Sequence, residues 1–288
     1  MTDKAIHAID HLLTYVHDLD AAASLFRRMG FTPSPVSHIE AMGISNHLVP
    51  MRPMTEGFAN YIELMSARDP RKLPPAMAQT LSGPEGIKSM VLGTKDAAAA
   101  QLAMRSQGFD AAPPIHVKRE WVIAPGESVF PEFDVILPFP TELTFNCCKY
   151  HNVDLYLRPE WLEHANGAQG IRTVFAVAGD PVAVARRFAK LFNASVIAGD
   201  GMACTSAGGV ELSVLTTRSA QSEFGLDVTS PERDAAYLGY LIEVRSLDVL
   251  VSCLRAGGVE HRAGPNAIYV DPVSGLGNLI VFTSRNGS

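Results

Sequence analysis

Residues 8–15 (AIDHLLTY) alternate between apolar and polar positions, and the period then changes to three-and-four spacing through DLDAAASLFRRMGF, with Ala22, Leu25, Phe26 and Met29 on one side. This predicts a strand followed by an amphipathic helix. The same change of period recurs in KSMVLGTKDAAAAQLAMRSQGF (88–109), RTVFAVAGDPVAVARRFAKLFNA (172–194) and LGYLIEVRSLDVLVSCLRAGGV (238–259). Asp18 and Asp96 fall in register, as do Gly30 and Gly108. Asp180 reads as an N-cap with Pro181 at the first helical position, and Ser246 as a cap whose helix ends at Gly257-Gly258.

Each helix is followed by extended segments bounded by turn residues: SNHLVPM and NYIELMS, FDVILPF and TELTFNCC, MACTSA and GVELSVL, then AIYVDP and NLIVF. Four units of strand, helix and two or three antiparallel strands predict an α+β fold whose helices cover one sheet face. The other face must find a partner or enclose something. At 288 residues, the length suits two domains.

Composition narrows the function classes. A net charge of −6, with Lys and Arg scattered, provides no field for a nucleic acid backbone. The opening MTDKAIHAID lacks the apolar core of a signal peptide, and no apolar run reaches the ~20 residues of a membrane helix, so a cytoplasmic protein is expected. Cys147, Cys148, Cys204 and Cys253 have no zinc-type spacing and read as reduced thiols; the adjacent pair would point to opposite faces of a strand. GPEGIK and GDGMAC do not match a phosphate loop.

The units resemble the βαβββ modules of the vicinal oxygen chelate superfamily, carried by IDHLLTYVHDLDAAASLF, YIELM and VDPVSGLGNLIVF. SHIEAMGISNHLVPM and RPEWLEHANGA resemble a narrower glyoxalase-like branch. The resemblance implies four modules paired into two domains with curled mixed sheets forming cups. The expected limits are 1–150 for the first domain, 151–168 for a connecting helical segment and 169–288 for the second. It also implies a divalent metal, Zn, Mn, Fe or Ni, held by residues on the first and fourth strands of paired modules.

At the strand-one position the four units carry His11, Ser89, Thr173 and Gly239. At strand four, unit one offers Glu63, unit two Glu142, Thr144 or Asn146, unit three Glu211 or Ser213, and unit four Val281. His11 and Glu63 are therefore the candidate metal ligands. The second pair of modules lacks the two histidines and glutamate of ring-cleaving extradiol enzymes. Strand alternation places His11 on a face with Ile9, Leu13 and Tyr15, and Glu63 with Tyr61 and Met65. A carboxylate among such neighbours needs a cation, a hydrogen bond or water; the alternative is a buried polar pair without a metal.

Glu63, His47 and His151 are the candidate catalytic groups, His151 because it follows a strand that should end at the cavity. Arg119 in HVKREWVIAPGESVFPEFD, a candidate cavity rim, together with Tyr15 and Asn46, is a candidate for substrate binding; a surface ion pair is the commoner fate of such an arginine. His38 and His116 lie in loop-like sequence, where solvated histidine is the ordinary outcome. KYHNVDLYLRPEWLEHANGA is too aromatic for a free tether and reads as a docked segment with a short helix from Pro159; its His164 and Asn166 serve either the site or a packed connector.

Three functions follow. The first is a metal-dependent lyase or isomerase acting on a small oxygenated metabolite, with Glu63 or a histidine moving the proton. The second is a metal-free protein that sequesters an organic ligand, which Ser89 and the missing further ligand favour. The third is a ring-cleaving dioxygenase. The expected partner is a small-molecule substrate, with neither nucleic acid nor membrane, and a homodimer is left open.

Overall fold

The computed structural model describes residues 4–73, 75–139, 141–229 and 234–284; the first three residues of the opening segment lie outside it. The first unit comprises β1 (Ala8–Tyr15), α1 (Leu19–Arg28), β2 (Ser37–Ile39), β3 (Ile44–Pro50) and β4 (Tyr61–Ala67). After α2 (Pro75–Thr80), the second comprises β5 (Gly86–Gly93), α3 (Ala97–Ser106), β6 (Asp110–Ala111), β7 (Ile115–Lys118), β8 (Trp121–Ala124), β9 (Glu127–Val129), β10 (Glu132–Ile136), β11 (Pro138–Phe139) and β12 (Phe145–Tyr150). A short helix, α4 (Pro159–Leu162), leads to β13 (Ala168–Ala178), α5 (Pro181–Phe192), β14 (Ile197–Gly199), β15 (Met202–Ala207), β16 (Val210–Leu215) and α6 (Thr217–Phe224). The fourth unit is β17 (Ala235–Val244), α7 (Leu247–Ala256), β18 (Arg262–Ala263), β19 (Ala267–Val270) and β20 (Leu279–Ser284).

Asp18, Asp96, Asp180 and Ser246 each cap the helix that follows by accepting a backbone N–H from its first turn. Gly30 and Gly108 leave their helices with φ of 86° and 83°, a conformation that costs glycine nothing.

The strands form two curled mixed sheets of eight, ordered β2-β3-β4-β1-β5-β12-β10-β7 and β14-β15-β16-β13-β17-β20-β19-β18. Within each unit the last long strand returns parallel to the first: β1 pairs with β4, β5 with β12, β13 with β16 and β17 with β20. The first strands of paired units join antiparallel, β1 to β5 and β13 to β17, so two units close one sheet.

The helix-covered faces of the two sheets share one core. Phe145 of β12 meets Phe188 of α5 at 5.4 Å between ring centroids, and Phe31 lies 6.2 Å from Phe282. Polar sutures fix this contact: Asn60 exchanges hydrogen bonds with the backbone of Ile171, and the Tyr237 hydroxyl donates to Thr144 O while accepting from Met90 N. The other sheet faces, turned away from this core, are the two cups. Among the described residues no helix is long and apolar enough to cross a membrane.

Two features depart from the periodic reading. Strand β7 is followed by a two-stranded hairpin, β8 with β9, outside either large sheet. In addition, α6, capped by Thr216 and ended by Gly225 at φ 63°, follows the third unit in a stretch that the four-unit pattern does not cover.

Candidate functional site

Strand period and pairing register decide what lines the first cup. His11 stands beside Tyr61 and Leu13 beside Glu63 in the parallel β1–β4 ladder, while Glu63 lies opposite Leu48 and Met65 opposite Asn46 in β3–β4. His11, Leu13, Tyr61, Glu63, Asn46 and Leu48 therefore share the cup face. Ile9 does not. A register shift between Ile9 and His11 leaves Asp10 without a partner on β5, and the bulge sends Ile9 into the shared core while Asp10 joins His11 on the cup side.

The result is a buried array. Asp10, His11 and Glu63 are 1%, 6% and 8% exposed. His11 Nδ1 lies 2.7 Å from Asp10 Oδ1, and its Nε2 lies 3.8 Å from Glu63 Oε2. Asp10 accepts from the Tyr150 hydroxyl at 2.8 Å and from Ala59 N at 2.9 Å. Asn46 Nδ2 donates to Glu63 Oε1, leaving Oε2 toward the imidazole. The Tyr61 ring stacks on His11 at 4.1 Å, and its hydroxyl lies 3.0 Å from that of Tyr150.

Burial, reinforced by the Glu63 and Asp10 carboxylates, pushes the Tyr61 phenol well above its usual range; burial and then Asp10 do the same for Tyr150. Both stay protonated and act as hydrogen-bond donors.

The β8–β9 hairpin and the connecting segment form the cover. Trp121 packs on Trp161 at 5.0 Å, Tyr156 stacks over Tyr61 at 6.1 Å, and Arg158 ties the connector to the hairpin through Glu127 at 3.3 Å. Arg119, at the start of the hairpin, donates to Ser37 Oγ; Ser37 lies opposite Asn46 and so faces the cup. Among the described residues, Arg119 Nε, Trp121 Nε1, Asn46 Oδ1 and Ser89 Oγ are buried polar atoms without a protein partner. Buried polar atoms of this kind are left for water or a ligand to satisfy. Farther along the same sheet face, a cavity of about 560 Å³ is lined by Leu13, Leu81, Thr144, Asn146, Glu142 and Arg187.

The remaining candidates are placed as follows. Ser89, opposite Leu13, and Asn146, beside Val91, occupy the second-unit positions equivalent to His11 and Glu63. Register likewise selects Ser213 in the third unit, beside Phe175. Tyr15 stands at the end of β1, 5.3 Å from the His17 ring.

His47 lies opposite Leu64, a core residue, so its ring is on the helix side, where Nδ1 is 2.7 Å from Ser34 O. Its position is thus outside the cup. His151 also turns away. Tyr150 takes the cup face opposite Phe133, and the His151 ring bonds Asp134, which shares its face with the core residue Ile136. His164 and Asn166 pack as connector, bonding Pro50 O, Thr32 N and Met29 O.

Asp10, Tyr61 and Tyr150 were not among the sequence candidates. Strict alternation sends Asp10 to the other face, and only the bulge returns it.

Around α6 the second cup is filled by apolar side chains. Phe175, Val177, Leu215, Leu279 and Val281 pack beneath Ala220 and Phe224 of α6, with Phe224 edge-on to Phe175 at 4.9 Å.

The chain belongs to the glyoxalase-like domain family of the vicinal oxygen chelate superfamily: the family profile, described as "Glyoxalase-like domain", matches residues 9–192. No curated protein matches it significantly. Among solved structures it is similar to a hypothetical protein from Staphylococcus aureus, at 13% identity and TM-score 0.69, covering 97% of this chain and 99% of that one. It is also similar to a variant of 4-hydroxymandelate synthase from Streptomyces coelicolor, at 13% identity and TM-score 0.63, covering 99% and 94%. A third similarity, at 10% identity and TM-score 0.60, is to a xylose isomerase-like TIM barrel/4-hydroxyphenylpyruvate dioxygenase fusion protein, covering 99% of this chain and 49% of that one. At such identities the likeness shows the fold.

Proposed function

We propose that the first cup is the active site of a lyase or isomerase that moves a proton on a small oxygenated metabolite with the help of a divalent cation. The observation that carries this reading is the Asp10–His11–Glu63 array, buried on one sheet face under an aromatic cover. Its donor chemistry fits a cation in part. His11 and Glu63 are two strong ligands, and Asp10 on Nδ1 supplies the carboxylate that orients a ligating imidazole. Ser89 and Asn146 add only neutral oxygens at the equivalent second-unit positions. When bound, the cation would supply a Lewis acid for the developing oxyanion.

The chain's own groups have separate roles. Asp10, on Nδ1, leaves the His11 Nε2 lone pair as an acceptor on the cup side, where the Tyr61 hydroxyl lies 3.2 Å away. Glu63, held at Oε1 by Asn46, presents Oε2 to the cup, where it would hold the cation at rest and take the substrate proton once substrate oxygens replace it. Tyr61 and Tyr150 donate hydrogen bonds, Arg119 binds an anionic end of the substrate, and Trp121, Tyr156 and Trp161 exclude water.

Metal analysis of protein purified without added metal is the test. One divalent equivalent fewer in both His11→Ala and Glu63→Gln than in wild type is the expected result; equal metal content in wild type and both variants, with aromatic compounds bound at unchanged affinity, would overturn it. That second outcome is the sequestration reading, which the aromatic cover and the neutral Ser89 and Asn146 favour. A dioxygenase would need a second histidine at this cup, and His47 and His151 are turned from it.

A further inference from the structure

Three side chains of the second unit meet at the edge of the first sheet, on the face opposite the cup. His116 of β7 and Asp134 of β10 are directly paired across the ladder, and His151 follows the end of β12, the strand on the other side of β10. His116 Nδ1 lies 2.8 Å from Asp134 Oδ1, and His151 Nε2 lies 3.0 Å from Asp134 Oδ2. One ligand atom from each residue falls in a set spanning no more than 4.8 Å. No other group of three or more His, Cys, Asp or Glu among the described residues does so.

These separations have a simple chemical meaning. Ligands bound to one ion at ~2.0–2.1 Å stand about 2.9–3.4 Å apart when they subtend ~90–109°. Each histidine nitrogen already stands at about that spacing from one Asp134 oxygen, and the three-atom set spans no more than 4.8 Å, so an ion need displace the two shared protons and draw the imidazoles slightly together. Glu132, with Oε1 3.5 Å from His116 Nε2, adds a second negative charge, partly offset by Lys118 at 2.9 Å from Oε2. Two imidazoles and a carboxylate suit borderline cations rather than Mg²⁺ or Ca²⁺. The site is also open: the side chains of His116 and His151 are 55% and 33% exposed, leaving positions for water or an exogenous ligand.

We propose that His116, Asp134 and His151 form a divalent transition-metal site of the Zn²⁺ class, separate from the cup. Its position gives binding a structural consequence. Strand β7 is the last strand of the sheet, and the chain passes from it through Arg119 into the hairpin that covers the cup. An ion joining β7, β10 and the end of β12 would pin the base of that cover.

Equilibrium dialysis against Zn²⁺ and Co²⁺ absorption titration of the full chain test the assignment. Wild type, the His116→Ala/His151→Ala double variant and the His11→Ala/Glu63→Gln double variant are compared. The expected result is one equivalent fewer in the His116→Ala/His151→Ala protein, and retention of that equivalent, with its Co²⁺ spectrum, in the cup variant. Both histidines are exposed, so their replacement should leave the fold intact; circular dichroism and an Asp134→Asn variant check it: the fold should persist while affinity drops about tenfold or more. Equal stoichiometry and affinity in wild type and the His116→Ala/His151→Ala protein would overturn the proposal, as would no uptake by wild type at neutral pH.

Discussion

Replacing Asp10 separates its electrostatic from its structural role. Its carboxylate accepts from three buried donors: His11 Nδ1 and the Tyr150 hydroxyl on Oδ1, and Ala59 N on Oδ2. Asp10→Ala strands the Ala59 N–H and leaves the Tyr150 hydroxyl to pair with His11 Nδ1 at 3.3 Å or with the Tyr61 hydroxyl at 3.0 Å. Leaving a buried donor unsatisfied costs about 1–3 kcal/mol, so a loss of roughly 2–4 kcal/mol is expected with the charged acceptor gone. Asp10→Asn keeps the volume, but its one oxygen must choose. If it stays with Ala59 N–H, the amide NH₂ faces Tyr150 and His11, and the imidazole must become an acceptor at Nδ1 and carry its proton on Nε2. The stability cost then falls to about 1–2 kcal/mol, the difference between charged and neutral acceptors. Urea denaturation reads the two stabilities, and ¹⁵N chemical shifts of the His11 ring read the tautomer. Any metal taken up by the cup should weaken by ~10–100-fold in Asp10→Asn. An Asp10→Ala protein within about 1 kcal/mol of wild type would refute the closed network, and an unchanged His11 tautomer in Asp10→Asn would refute the orienting role.

Three further outcomes are expected. Arg119→Lys should weaken binding of a carboxylate-bearing ligand by about tenfold or more, because an ammonium cannot reproduce the planar fork, and binding of a neutral analogue should not change; calorimetric titration of both ligands checks this. Burial holds the His47 and His164 imidazoles below their usual range, outweighing the backbone hydrogen bonds to Ser34 and Pro50 that raise them. The unfolded chain therefore binds more protons below about pH 6.5, and stability is complete above that value and declines as pH falls through the lower folded-state values, by at most ~1.4 kcal/mol per unit per imidazole. Urea midpoints at pH 7.5 and 5.5 measure it, with a flat profile against the claim. Gly208→Ala should destabilise by about 2 kcal/mol or more: its φ is 60°, and a Cβ there would stand 2.8 Å from Ala8 Cα of the first sheet. Thermal unfolding of both sheets as one shifted transition is expected.

The repeated unit is legible because two periods, one for strands and one for helices, alternate four times and each helix start is marked by Asp or Ser. The placement of Glu63 with His11 follows from the same period, since parallel pairing sets Leu13 beside Glu63. What the pattern hides has physical reasons. SNHLVPM falls in a strand buried on both faces, so nothing in its hydrophobicity says that Asn46 rather than His47 meets the cup. One added residue at Asp10 reverses the alternation on one side of the bulge only. His151 is one residue beyond Tyr150, and a single step is enough to move its ring to the opposite face. Arg119 and Trp121 act through a hairpin whose signal is only the turn at Pro125-Gly126, and α6 through its Thr216 cap and Gly225.

The two cups share a plan and cannot share a chemistry. At the position of His11 the fourth unit has Gly239, where a Cβ would lie 1.9 Å from Leu279 O, so β17 and β20 approach too closely for any side chain to reach inward as a ligand. At the position of Glu63 it has Val281, packed with Phe175 and Leu279 beneath α6. Opening that cup would expose the apolar surface of Phe224 and its neighbours, about 1.5–3 kcal/mol for each large side chain. The second sheet therefore contributes through its other face: the core it shares with β1, β4, β5 and β12 holds the strands that position His11, Glu63 and Tyr150. If that is its role, core variants in the second unit pair, such as Phe188→Ala against Phe145, should disturb the first cup without touching it.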